Sequence, residues 1–227
     1  MYRKLIIASL CLAVALPAFA QNKADKRLAE STAVLKTIMG KNDIPKGVLD
    51  KAVCVMVFPS VRKVGVGLGV TYGRGVLVCR TGNDFNGKWG APIMYSLDTG
   101  SLGAQLGSSS TDYVMLVMSD RGANKVLSGK LKLGADAQAV AGPSGAQSSG
   151  FNDPNVDIVT YAQSKGLFAG AAIGSASMET DNTANKDLYG KEIDAPSFAR
   201  DPSSSIPASA QPLDAVLQKA TPKHLTS

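Results

Sequence analysis

Residues 52–80, AVCVMVFPSVRKVGVGLGVTYGRGVLVCR, decide how the chain is to be read. An apolar run comes first, then a proline and a basic pair, and then Gly65, Gly67 and Gly69 alternating with Val64, Val66, Leu68 and Val70. Apolar residues at period two beside bare glycines describe a strand with one packed face and one face open to close backbone approach. In the first half, alternation sends Val53, Val55 and Val57 to one face and Ala52, Cys54, Met56 and Phe58 to the other. Both faces are apolar, which predicts a strand covered on both sides. Pro59-Ser60 is expected to end it, Arg62 and Lys63 to lie in a connection, and Tyr72-Gly73-Arg74-Gly75 to turn into a further strand over 76–79. Two basic turns at the sheet margin follow.

Upstream, the pattern over 23–39 is helical: Leu28, Val34, Leu35, Ile38 and Met39 share one side, while Lys23, Lys26, Arg27, Glu30 and Lys36 lie off it. Gly40 suits the end of this helix, and Ile44-Pro45 the start of a short second one carrying Val48 and Leu49 inward. The apolar side of the first helix either packs on its own domain or, with its basic neighbours, meets a membrane surface. Before it, Arg3 and Lys4 precede an apolar run over 5–16, and Pro17-Ala18-Phe19-Ala20 supplies small residues ahead of a cut after Ala20. This is the grammar of a secretory signal peptide. It predicts a periplasmic or otherwise exported protein, peripheral on a membrane at most. Cys11 lacks the small preceding residue that a lipoprotein site needs, since Leu10 stands there.

Cleavage would remove Arg3 and Lys4 and take the formal charge from +6 to +4. That mild excess permits attraction to an anionic surface but falls short of the dense basic stripe of a nucleic-acid binder. Cleavage would also leave Cys54 and Cys79 in an oxidising compartment. They are a candidate disulfide pair, with two small buried apolar side chains as the other reading.

Downstream, further strands are expected over 89–95, 113–118, 157–162 and 166–173, the last two as a hairpin, with a short one over 139–141. Asp120 can cap a helix running to Leu127. Residues 195–212 read as a proline- and serine-rich linker before one last helical turn or two over 213–220. The domain division is therefore a signal peptide over 1–20, one domain over 21–193, and a linker with a short terminal segment over 194–227.

Enzyme motifs fail letter by letter. The dinucleotide fingerprint would need glycine where Val70 stands, and no Gly-Lys pair is followed by Ser or Thr. The single histidine, His224, lies three residues from the C-terminus, which argues against Ser-His-Asp and Cys-His catalysis and against histidine-based metal sites. Ser144 misses the nucleophile-elbow pattern by one residue. Asp153 and Asp157 flank a proline, where Asp is ordinary turn chemistry. The reading is a non-enzymatic protein without cofactor, nucleotide or metal.

Taken together, several blocks resemble the SYLF domain family, also called the Ysc84 actin-binding domain family, described as lipid-binding. They are Ala52-Val53 through Pro59, Lys63 through Gly69, Tyr72-Gly73-Arg74-Gly75, Trp89 with Pro92, Gly100-Ser101-Leu102-Gly103-Ala104-Gln105-Leu106-Gly107, Gly166-Leu167-Phe168-Ala169-Gly170, and Asn185 with Tyr189-Gly190. They keep their order across residues 23–193. The resemblance implies an α+β fold: a mostly antiparallel, strongly curved or barrel-like β core with N-terminal helices. It also implies association with phospholipids. In an exported chain the expected ligand is an anionic phospholipid rather than actin or a phosphoinositide. Candidate lipid-binding residues are Lys23, Lys26 and Arg27 on the helix and Arg62, Lys63 and Arg74 in the basic turns. The competing reading is a structural or protein-interaction module of the cell envelope with no lipid ligand.

Overall fold

The computed structural model describes residues 23–142, 155–164, 167–170, 176–222 and 224. The expected signal peptide, Cys11, Ser144, Asp153, Gly166 and residues 171–173 of the expected last strand lie outside the described residues. The chain begins with helix α1, Lys23–Gly40, and a single turn α2, Lys46–Leu49. Two very long strands follow, β1 at Cys54–Cys79 and β2 at Ile93–Val117. Next come α3, Asp120–Leu127, and the short strands β3, Lys130–Lys132, and β4, Ala139–Ala141. Strands β5, Ile158–Ser164, β6, Leu167–Gly170, and β7, Ser177–Thr180, complete the sheet. The helices α4, Asn182–Tyr189, α5, Ala195–Arg200, and α6, Gln211–Ala220, close the fold.

The sheet has seven strands in the path β3-β7-β2-β5-β4, with β1 on β2 and β6 on β5. Among the described strands the β4–β5 pair is parallel and the other pairs are antiparallel; an isolated parallel bridge joins Leu133 and Ala137. Strands β1 and β2 make one antiparallel ribbon, from Cys54 opposite Val117 to Leu77 opposite Ile93. On β2, β7 pairs with 95–98 and β5 with 112–117, so the two ends of the ribbon carry different neighbours. The ends nevertheless meet. Arg80 N–H donates to the Val53 carbonyl at 2.9 Å, and a disulfide joins Cys54 to Cys79 across 3.9 Å between Cα atoms. The ribbon therefore doubles back on itself, which gives the strongly curved, mostly antiparallel α+β fold.

This continuity corrects the expectation that Pro59-Ser60 ends a strand and that Tyr72-Gly73-Arg74-Gly75 is a turn. The pairing slips between Phe58 and Val61, a bulge that absorbs the proline's missing N–H. Ser60 takes φ 48° there, and its N–H donates to Asp112 Oδ1 at 2.7 Å. At the other site the glycines serve contact. A Cβ on Gly75 would stand 2.3 Å from the Val57 carbonyl oxygen, and one on Gly73 would stand 2.8 Å from Val61 Cγ2.

Alternation holds where the strand is regular. Val55, Val57, Val76, Val78, Met94, Val114 and Leu116 share one core with α1, α2 and α6. Cys54, Met56, Phe58, Leu77, Cys79, Ile93, Tyr95, Met115 and Val117 share the other with α3 and α5. Ala52 and Val53 precede the strand and fall on the faces opposite to those expected.

The C-terminal segment corrects the linker reading and the domain limit at 193. Pro196 opens α5 behind the Asp194 cap, Leu213 and Leu217 of α6 are buried against α1, and the packed core extends to residue 220. The cap of α3 is Ser119, whose hydroxyl accepts from Gly122 N–H at 3.1 Å, and Asp120 is the first helical residue.

A candidate basic surface at the ribbon bend

Helix α1 hides its apolar face. Leu28, Val34, Leu35 and Ile38 are buried, which leaves Lys23 and Lys26 on the exposed side. Lys26 lies 3.8 Å from Glu30, an exposed one-turn pair worth little on its own. Arg27 is different: its side chain is 11% exposed, and its guanidinium lies 3.0 Å from Asp181 Oδ2. That nitrogen is buried and does not align as a hydrogen bond, so the attraction is an ion pair.

Asp181 is the meeting point of two expected clusters. It caps α4, its Oδ1 accepting from Ala184 N–H at 3.1 Å, where a carboxylate also suits the helix dipole. Arg74 from β1 approaches its Oδ2 to 3.8 Å. The start of α1 and the second half of β1, separate in sequence, thus share one carboxylate. Lys23 stands one helical turn before Arg27 on the same side.

Arg62 and Lys63 join this surface through the doubled ribbon. The close approach of Val61 to Gly73 sets the Arg62-Lys63 pair beside the Tyr72-Gly73-Arg74 segment. Both basic residues are exposed, opposite Ser110 and Ser109 on β2. Strand alternation then points Val70, Tyr72 and Arg74 outward together. Val70 is 55% and Tyr72 43% exposed, the two exposed large hydrophobic side chains among the described residues. The arrangement sets cations beside an aromatic ring and an aliphatic side chain, with Asp98 opposite Tyr72. These cations belong to continuous strand rather than to turns, so alternation sends the consecutive Arg62 and Lys63 to opposite faces of the ribbon.

Other polar groups of the fold are structural. Arg80 is fully buried, and burial lowers its guanidinium pKa against the smaller opposing pull of Asp50. It donates to the Thr221 carbonyl and hydroxyl at 3.0 and 2.7 Å and to the Ala52 carbonyl, and it lies 4.4 Å over the Trp89 ring. Trp89 Nε1 donates to the same Thr221 carbonyl at 3.1 Å. Together they hold the C-terminus of α6, where a cation complements the helix dipole.

Asn185 works as a detached piece of strand, accepting from Met94 N–H at 2.7 Å and donating to its carbonyl at 3.3 Å. Asp157, 2% exposed, receives Arg121 Nε at 2.9 Å, Lys125 Nζ at 3.1 Å and the Gln138 N–H at 3.1 Å. These contacts mark it as a cross-link between segments. Sequence reasoning missed Asp181 because a single carboxylate in a polar stretch carries no periodic signal, and it read Asp157 as turn chemistry because Pro154 stands nearby. Arg80 was missed because a cation ending an apolar strand reads as a surface residue. Among the described residues, no group of three or more His, Cys, Asp or Glu gathers as a metal site would require.

Comparison with known proteins places this fold. A family model described as Ysc84, "Las17-binding protein actin regulator", matches residues 98–220, more than half of the chain. The chain belongs to the Ysc84 family. The match runs from β2 through α6, in keeping with a core that includes the last helix. The human SH3 domain-containing YSC84-like protein 1 is 30% identical over 208 residues, covering 89% of this chain and 58% of that protein. An SH3 domain-containing protein of Schizosaccharomyces pombe is 29% identical over 200 residues, 86% of this chain and 45% of its own length. Protein YSC84 of Saccharomyces cerevisiae is 27% identical over 180 residues, 77% of this chain and 37% of the yeast protein. The chain thus spans about half the length of the curated relatives it matches.

Several residues of the blocks that carry the family resemblance have physical roles here. Trp89 and Asn185 make the bonds described above, Tyr189 donates to the Pro92 carbonyl, and Gly75 admits the doubled ribbon.

Proposed function

We propose that this Ysc84 family chain is an exported, non-enzymatic protein that binds anionic phospholipid surfaces through the bend of its β1–β2 ribbon. The observation that carries the reading is that exposed Arg74, Tyr72 and Val70 share one face of β1, beside Asp181 and the start of α1, with exposed Arg62 and Lys63 on the neighbouring stretch of the doubled ribbon. Cations at a headgroup layer contribute about 1 kcal/mol each, and an amphipathic ring such as tyrosine suits the same depth. The helical part of the surface is narrower than its sequence suggests. The apolar face of α1 is committed to the core and Arg27 to Asp181, so Lys23 and Lys26 are the helix cations that can add to the contact. Among the described residues no helix is long and apolar enough to cross a membrane, so the contact proposed is peripheral. The disulfide supports the exported location, because such bonds persist in oxidising compartments.

Vesicle sedimentation of the purified protein tests this reading. Pelleting with vesicles containing phosphatidylglycerol at low salt, falling steeply as salt rises, is expected. Equal pelleting with neutral phosphatidylcholine vesicles would contradict it. A second reading is favoured by the family description, "Las17-binding protein actin regulator", and by the name of another Saccharomyces cerevisiae relative, LAS seventeen-binding protein 3. On that reading the chain is a protein-interaction module of the envelope. It predicts no pelleting with either vesicle.

A further inference from the structure

A groove lies at the far end of α1, about 18 Å along the helix from Arg27 at 1.5 Å per residue. Its volume is about 570 Å³, and it runs between the end of α1, α2 and α6. Met39, Ile44, Leu49 and Val216 supply an apolar floor, of which Ile44 and Leu49 are almost wholly buried. Lys36, Lys46 and Lys219 stand on its rim, all exposed, and no carboxylate lines it. Lys46 is engaged by Asp50 at 2.8 Å, and its ammonium also reaches the Ala220 carbonyl at 3.4 Å, which fixes it at the mouth.

An apolar trough edged by cations, with no carboxylate in its lining and the nearby Asp50 held on Lys46, is complementary to a chain that is greasy along its length and negative at one end. We infer that this groove binds the acyl chain of a free fatty acid, with its carboxylate on the lysine rim. The volume falls within the range of about 300–1,000 Å³ usual for small-ligand sites. Neutral or cationic amphiphiles fit the floor equally and the rim worse, so the rim sets specificity by charge. The site stands apart from the ribbon bend in both residues and position, and it does not depend on the membrane reading.

The test is titration of the purified protein with oleate below its micelle concentration, followed by calorimetry and by displacement of a fluorescent fatty acid. Saturable binding of one oleate per chain is expected, with oleyl alcohol at least tenfold weaker. Lys36→Glu with Lys219→Glu, two exposed substitutions that leave the core intact, should weaken oleate about tenfold or more. Val216→Trp, which fills the floor, should abolish binding of oleate and oleyl alcohol alike. Arg62→Glu with Lys63→Glu should leave oleate binding unchanged while affecting vesicle pelleting, so failure of one site is separable from failure of the other. Absence of saturable binding, or oleate affinity unchanged in both groove variants, would overturn the assignment. So would an acidic amphipathic peptide that saturates the groove while oleate does not.

Discussion

Arg80 shows how much a single side chain can organise. It crosses the molecule from the end of β1 to the last turn of α6, and Thr221 receives both it and Trp89. Arg80→Ala removes charge-assisted bonds and leaves a buried carbonyl and a cavity, an expected loss of about 3–5 kcal/mol. Arg80→Met keeps the volume and should cost about 2 kcal/mol. Urea unfolding followed through Trp89, the one tryptophan in the chain, measures both and reports the Arg80 contact directly. Asp157 makes a second residue-scale case. Burial pushes its carboxyl pKa up, but the bonds from Arg121, Gln138 N–H and Lys125 outweigh burial and hold it below the usual carboxylate range. With the folded value below the unfolded one, its contribution is present above about pH 4 and is lost as pH falls through the folded value. Asp157→Asn should therefore destabilise by about 1–3 kcal/mol at pH 7 and flatten the loss of stability on acidification. An unchanged acid limb in denaturation curves at stepped pH would contradict this.

At the scale of elements, the doubled β1–β2 ribbon is the decisive object, and its contact points are glycines. Gly75→Ala drives a Cβ into the Val57 backbone and should cost about 3 kcal/mol or more, since neither strand can move without breaking its ladder. Gly73→Ala meets only a methyl of Val61, which can shift, so a smaller loss of about 1–2 kcal/mol is expected from the same unfolding measurement. These two positions also show what a linear reading can and cannot reach. Alternation over 54–58 was legible, as were α1 from its 3.6-residue period, the short β4, and the β5–β6 hairpin. Illegible was the continuity of β1 through Pro59 and Arg62-Lys63, because a bulge carries the signature of a stop. The same holds for Tyr72-Gly73-Arg74-Gly75, where glycines that serve cross-chain contact resemble turn glycines. Helix α4 was missed because its core contacts are Ala184 and Asn185 rather than large apolar side chains. Residues 195–212 resemble a linker in sequence because Pro196 inside the first turn of a helix looks like a break.

For the whole molecule, the fold turns two weak sequence signals into one surface. Lys23, Lys26 and Arg27 belong to a helix and Arg62, Lys63 and Arg74 to a strand, yet Asp181 binds Arg27 and Arg74 together. The helix contributes charge to this surface while its apolar side holds the core, so the hydrophobic part of any contact falls to Tyr72 and Val70 on the ribbon. The most direct measurement of this account compares two charge reversals in vesicle sedimentation at low salt, each on exposed residues that leave the Asp181 pairs intact. Arg62→Glu with Lys63→Glu should weaken pelleting on phosphatidylglycerol vesicles by about thirtyfold or more, at about 1 kcal/mol per cation removed. Lys23→Glu with Lys26→Glu should weaken it less. Full loss in the helix variant with an unaffected ribbon variant would contradict the assignment of the ribbon bend as the membrane contact.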